Sequence, residues 1–184
     1  QRLNPMAGII ITLILFVAYR TLRSTILPNV IVAATIASAV GLMAALGIAF
    51  FVVTNALIVI LIGISVADSI HVFSQYYQEY AKRPEANARE IVIRAMGEIW
   101  RPITLTTLTT VAGFLGLYLA SEMPPFRYLG LFSAIGVVVA WVYSLTLLPA
   151  ALTLLKVKSS KAYKVSAQGV VEVDGFGRLM DRLG

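Results

Sequence analysis

The chain alternates between long apolar runs and short polar connections. The runs are Pro5 to Tyr19, Ile26 to Leu46, Ala56 to Phe73, Ile103 to Ala120 and Phe126 to Leu155. A helix needs about 20 apolar residues to cross ~30 Å of hydrocarbon, and every run except the first approaches or exceeds that length. The pattern therefore predicts an all-α polytopic membrane protein with five transmembrane helices over 5–19, 26–46, 56–73, 103–120 and 126–155. Between the third and fourth runs the periodicity changes. Ala88, Ile91, Val92, Ala95, Met96 and Ile99 recur at helical spacing, with Arg89, Glu90, Arg94 and Glu98 off that stripe. This predicts an amphipathic helix over 84–100 lying in the membrane interface on the cytoplasmic side. Trp100 and Arg101 serve as its anchors, and Pro102 belongs to the first turn of the next span. Residues 156–184 read as a basic cytoplasmic linker. Phe176, Leu179, Met180 and Leu183 keep helical spacing there, as if leading into a further helix.

Composition sharpens this picture. Of 184 residues 59% are hydrophobic and 13% charged, and so much apolar sequence could not be hidden inside one soluble domain of this length, which excludes a soluble enzyme. The absence of cysteine excludes a disulfide framework, a thiolate nucleophile and a cysteine zinc site. A net charge of +6 would suit nucleic acid if it formed an exposed basic face, but the basic residues are confined to the connections, so no nucleic-acid partner is expected. Membrane topology explains them instead. Thirteen of the fifteen Lys and Arg residues fall on one side, leaving only Arg2 and Arg127 on the other. By the positive-inside rule the amino end is outside and the carboxyl end cytoplasmic, in an inner (cytoplasmic) membrane. An odd number of spans starting outside also implies that a cytoplasmic start, if the full protein has one, needs a further helix upstream.

One carboxylate lies within a span. By insertion scales an Asp at mid-membrane costs about 2.5–3.5 kcal/mol, so Asp68 is a functional candidate that should face a bundle interior or wet cavity. Ser65 is three residues before it and His71, the only histidine, three residues after it, which predicts one polar stripe able to pass protons. The plainer reading is that Asp68 bonds to hydroxyls of a neighbouring helix and His71 is a boundary residue. Thr104, Thr106, Thr107, Thr109 and Thr110 form a hydroxyl cluster at comparable depth, with Thr107 and Thr110 on one face. Threonines in such helices often bond only to their own backbone. Gly113 and Gly116, and the ladder Ala33, Ala37, Gly41 and Ala45, are packing signals for close helix approach. One Asp and one His supply two ligands where a zinc site wants three or four, so no metal site is expected. No cofactor is implied either, because no phosphate loop, nucleophile elbow or paired-carboxylate arrangement is present. The chain is not expected to be an enzyme, and any work it does would draw on the proton gradient, worth ~2.3 kcal/mol per charge per 100 mV.

Three motifs in order carry a family resemblance: GISVADSIHV from Gly63 to Val72, ITLTTLTTVAGFLGLYLA from Ile103 to Ala120, and PPFRYLGLFSAIGVVVAWVYSLTLLPAALTLL from Pro124 to Leu155. The chain resembles the resistance-nodulation-division superfamily, and most closely its MMPL and Patched-like branch of exporters. The resemblance covers the second to sixth helices of a six-helix repeat. It implies a secondary transporter of two such repeats, with large extracytoplasmic domains, driven by proton influx and exporting hydrophobic or lipid-like molecules. On that resemblance Asp68 matches the proton-binding carboxylate and His71 a histidine of the Patched-like subset. Ser65, Thr107 and Thr110 would orient the carboxylate. Drug-efflux members carry two adjacent aspartates, whereas here Ala67 precedes Asp68, so their proton stoichiometry does not carry over. The basic partner of the carboxylate would come from the second repeat, in the same or another chain. Membrane lipids, an oligomer and periplasmic accessory proteins are further partners it implies. The same helices also resemble sterol-sensing domains, and the alternative function is a lipid-binding or regulatory module without transport. A third reading makes this the structural half of a transporter whose other repeat holds the relay.

Overall fold

The computed structural model describes residues 22–83, 85–154, 163–165 and 171–173. The apolar run Pro5 to Tyr19, Pro84 and the helical spacing from Phe176 to Leu183 lie outside the described residues. The other runs form four helices, α1 (Leu22–Ala45), α2 (Asn55–Lys82), α3 (Ala88–Ala120) and α4 (Pro124–Leu154). All four are long and apolar enough to cross a membrane, so the membrane part is all-helical. Beyond α4 a short antiparallel ladder pairs β1 (Tyr163–Val165) with β2 (Val171–Val173), Tyr163 opposite Val173 and Val165 opposite Val171. It stands in the stretch whose basic residues suggest only a linker.

Turn chemistry explains where α1 stops. Gly47 adopts φ +66°, a conformation that favours glycine, and its N–H bonds to Ala44 O while the Ile48 N–H reaches back to Met43 O. This pair of bonds closes the last turn and satisfies carbonyls that would otherwise be unpaired inside a membrane. A single 3-10 turn, Val52–Thr54, then leads into α2, with Thr54 Oγ1 accepting from the Phe51 N–H at 3.1 Å. Phe51 stacks on Tyr128 near the start of α4, their ring centroids 6.4 Å apart.

α2 and α3 both run past the predicted span limits. α2 continues from Phe73 to Lys82, and the stretch expected as a separate interfacial helix is the first part of α3, which passes through Pro102 without ending. Its apolar stripe is not spread on the interface. Ile91, Val92 and Ala95 are buried, and Ile91 and Val92 join Phe73, Tyr76 and Tyr77 of α2 and Leu148 and Leu152 of α4 in one core cluster. Magnitudes account for the difference. A proline inside a helix costs about 3 kcal/mol, whereas each large apolar side chain withdrawn from water contributes about 1.5–3 kcal/mol. Several such side chains outweigh one lost backbone bond. Tyr76 and Tyr77 meet edge-on with centroids 5.6 Å apart, which adds directional packing. Around this core Lys82 pairs with the buried Glu79 at 2.6 Å, and nearer the surface Arg94 meets Glu90 at 3.1 Å and Gln75 donates to Glu98. Exposed pairs of this kind contribute little beside the aromatic core.

α4 is the hub, packing against each of the other three helices. Two of its glycines make that possible. A Cβ on Gly130 would stand 2.7 Å from Phe114 O and from Tyr118 N, so the α3 and α4 backbones touch there. A Cβ on Gly136 would meet the Leu61 side chain of α2 at 2.6 Å. By contrast Gly41, Gly113 and Gly116 have nothing within 4 Å of that position, and Ala37 is exposed. The packing signals expected at these four positions thus face away from the described bundle, and the close approaches are made elsewhere.

Candidate functional site

Asp68 sits at the middle of α2, on the flank where the packed interior meets an outward strip. It is 7% exposed, and its Oδ2 has no hydrogen-bond partner among the described residues. Ser65, one turn earlier, is fully buried and its Oγ is likewise without a partner. These two members of the predicted stripe come together inside the bundle. His71 does not join them, because it lies on the exposed side of α2 with Gly63 and Ala67. Three residues advance a helix by about 300°, so a stripe at that spacing drifts by roughly 60° per step and its third member leaves the face. Ser69, which has no place in the stripe, is buried and donates to the Ser65 carbonyl at 2.8 Å.

The threonine cluster of α3 divides in the same way. Thr104, Thr106, Thr109 and Thr110 donate to carbonyls one turn back on their own helix, Thr110 to Thr106 O at 2.7 Å. Their hydroxyls are occupied by local backbone bonds. Thr107 is the buried member, 7% exposed, on the inward face of α3.

Two hydrogen bonds tie neighbouring helices together. Trp141 Nε1 donates to Thr104 Oγ1 at 3.1 Å, tying α4 to α3, and Ser38 Oγ and Tyr143 OH meet at 3.0 Å, tying α1 to α4. Trp141→Phe removes the donor and keeps the ring. It is expected to cost about 0.5–1.5 kcal/mol, read as a modest fall in thermal midpoint. Adding Thr104→Val to it should cost only the local bond of Thr104 to Trp100 O, since the bond between helices is already gone.

Three further buried hydroxyls, Thr35 on α1 and Ser133 and Ser144 on α4, also lack hydrogen-bond partners among the described residues. Sequence reasoning passed over them because each is a lone polar residue in an apolar run. A signal existed in the spacing of Ser133 and Ser144, eleven residues apart, which puts them on one helical face. Within the spans Asp68 is the sole Asp, Glu, Lys or Arg apart from Arg127 at the start of α4, where the guanidinium lies 5.0 Å from the Tyr118 ring centroid. Among the described residues no three His, Asp or Glu side chains come together as metal ligands do.

The arrangement is a lone acid among partnerless hydroxyls in a helical membrane bundle. The chain is 31% identical over 151 residues to a protein of Methanocaldococcus jannaschii whose name describes it only as a membrane protein. That match takes in 82% of the chain and 38% of the relative, so the chain spans well under half the length of that protein. The sequence profile of the MMPL family matches residues 1–170. Nearly the whole chain falls within that match, including all four described helices, and the chain accordingly belongs to the MMPL family.

Proposed function

We propose that the chain is part of the transmembrane proton-relay domain of an exporter of hydrophobic or lipid-like molecules, with Asp68 as the group that takes up and releases the proton. The observation that carries this is the buried Asp68 carboxylate, whose Oδ2 has no partner among the described residues although an ionised group at that depth is expensive. A carboxylate fixed only for structure would be satisfied by its neighbours. One left open can gain a proton, lose its charge, and change which helix packing is favoured. Membership of a family of transporters supports the reading.

On this reading the outward strip beside Asp68, formed by Gly63, Ala67 and His71, receives the second six-helix repeat, which supplies the basic partner. The small ladder of Ala33, Ala37 and Gly41 offers a similar close seat. The membrane is the cytoplasmic one, with Lys82, Arg83, Arg89, Arg94 and Arg101 on its cytoplasmic side, as the positive-inside rule requires.

The test is export of a fluorescent lipid from vesicles holding the whole protein, with a proton gradient imposed and then collapsed by a protonophore. Export is expected to stop on collapse. Export that continues unchanged would overturn proton driving, and no export with or without the gradient would favour the lipid-binding or regulatory module without transport.

A further inference from the structure

The partnerless hydroxyls and the buried Thr107 lie at graded depths along α4. Contacts already described fix the register: α1 and α3 run antiparallel to α4, with Ser38 opposite Tyr143 and Thr104 opposite Trp141, while α2 runs parallel with Leu61 opposite Gly136. Stepping along each helix from these anchors places Thr107 level with Val138, Ser65 with Ala140, Asp68 with Tyr143 and Thr35 with Thr146. Ser133 and Ser144 are on α4 itself. From Ser133 to the level of Thr35 the polar groups therefore cover about 20 Å at 1.5 Å per residue, with no axial gap above about 8 Å.

Their lack of partners is not what membrane hydroxyls do by default. Ser38, Ser69, Thr146 and Thr153 each donate to a carbonyl one turn back on their own helix. Thr35, Ser65, Ser133 and Ser144 do not, although all four are wholly buried. Each dry, unpaired hydroxyl would cost about 1–3 kcal/mol, and four unpaired hydroxyls together would be a heavy load for a bundle without a water-driven core. A water molecule bridging two or more polar groups removes that cost, and the largest axial gap is bridged by two or three waters at ~2.8 Å per hydrogen bond.

We propose that Thr35, Ser65, Thr107, Ser133 and Ser144 hold a file of water through the middle of the bundle, and that this file carries protons to and from Asp68. The inference rests on Asp68 as the proton carrier. In each hop an O–H bond of one water or hydroxyl breaks as the next forms, and the proton ends on the Asp68 carboxylate. Tyr143, held to Ser38, His71, outward on α2, and Arg101, exposed on α3 at the level of Ser144, are the other titratable or charged groups near this level; α1 brings none to it.

The experiment follows the infrared carbonyl band of protonated Asp68 in the whole protein in vesicles after a jump in external proton concentration, with Asp68→Asn identifying the band. Thr35→Val keeps the shape and removes the hydroxyl, Thr35→Ser keeps the hydroxyl, and Ser144→Ala deletes a second one. Thr35→Val and Ser144→Ala are each expected to slow the appearance of the band about tenfold, as the loss of one hydrogen-bonding group in the path would, with its final amplitude unchanged. Thr35→Ser should run at the wild-type rate. A band that rises equally fast in all three overturns the file while leaving Asp68 as carrier. Absence of any band that Asp68→Asn abolishes removes the carrier reading, and the file falls with it.

Discussion

Asp68→Asn is expected to insert and fold as the wild type does and to lose gradient-driven export by about a hundredfold or more. Asparagine matches aspartate in size and keeps a polar group at the buried position, so the packing of α2 against α4 is undisturbed. What it cannot do is exchange a proton, and groups that transfer protons contribute about 10²–10⁴-fold where they act. Asp68→Glu is the instructive companion, because it keeps the carboxyl and pushes one methylene into a packed site. It should retain gradient dependence at a rate reduced about tenfold, matching the lower part of the 1–3 kcal/mol cost of overpacking. Vesicle export at equal inserted amounts separates the two variants. Wild-type export by Asp68→Asn would leave Asp68 a structural residue.

Gly130→Ala is expected to produce the largest loss of stability among single-methyl changes in the bundle. The new Cβ would stand 2.7 Å from Phe114 O and Tyr118 N, both backbone atoms, so relief requires α3 and α4 to separate along their contact. Such overpacking costs about 1–3 kcal/mol, and here it falls at the top of that range because backbone cannot rotate away. Gly136→Ala meets the end of the Leu61 side chain, which can turn, so its cost should be smaller and Leu61→Ala should relieve it. No side-chain truncation should relieve Gly130→Ala. Thermal midpoints in detergent decide the matter, with Gly113→Ala as a control that meets nothing within 4 Å.

Much of the architecture was legible in the sequence because hydrocarbon admits few solutions. Every apolar run of bilayer length within the described residues is a helix, since a helix alone satisfies its own backbone there. Asp68 stood out for the same reason, as the one carboxylate in such a run. What could not be read is which neighbour each face meets. Gly113 and Gly130 look alike in sequence, yet only Gly130 touches another backbone, because that depends on how α3 and α4 cross. Nor did the stripe at Ile91 and Val92 reveal its partner, since a flat membrane surface and the aromatic flank of α2 demand the same spacing. His71 parted from Asp68 through accumulated rotation along α2, a matter of helix phase and not of residue type.

The unbroken passage of α2 and α3 beyond the apolar runs has a mechanical meaning. At 1.5 Å per residue the distance from Asp68 to Lys82 is about 21 Å, so a 10° tilt about the level of Asp68 would carry the tip of α2 through almost 4 Å. The aromatic contact among Phe73, Tyr76 and Tyr77 and the buried stripe of α3 packs the two arms together, so that such a tilt would carry both. On the role proposed for Asp68, the gain or loss of one proton there, too small to move much at its own position, would be geared up into a displacement large enough for another part of the protein to sense.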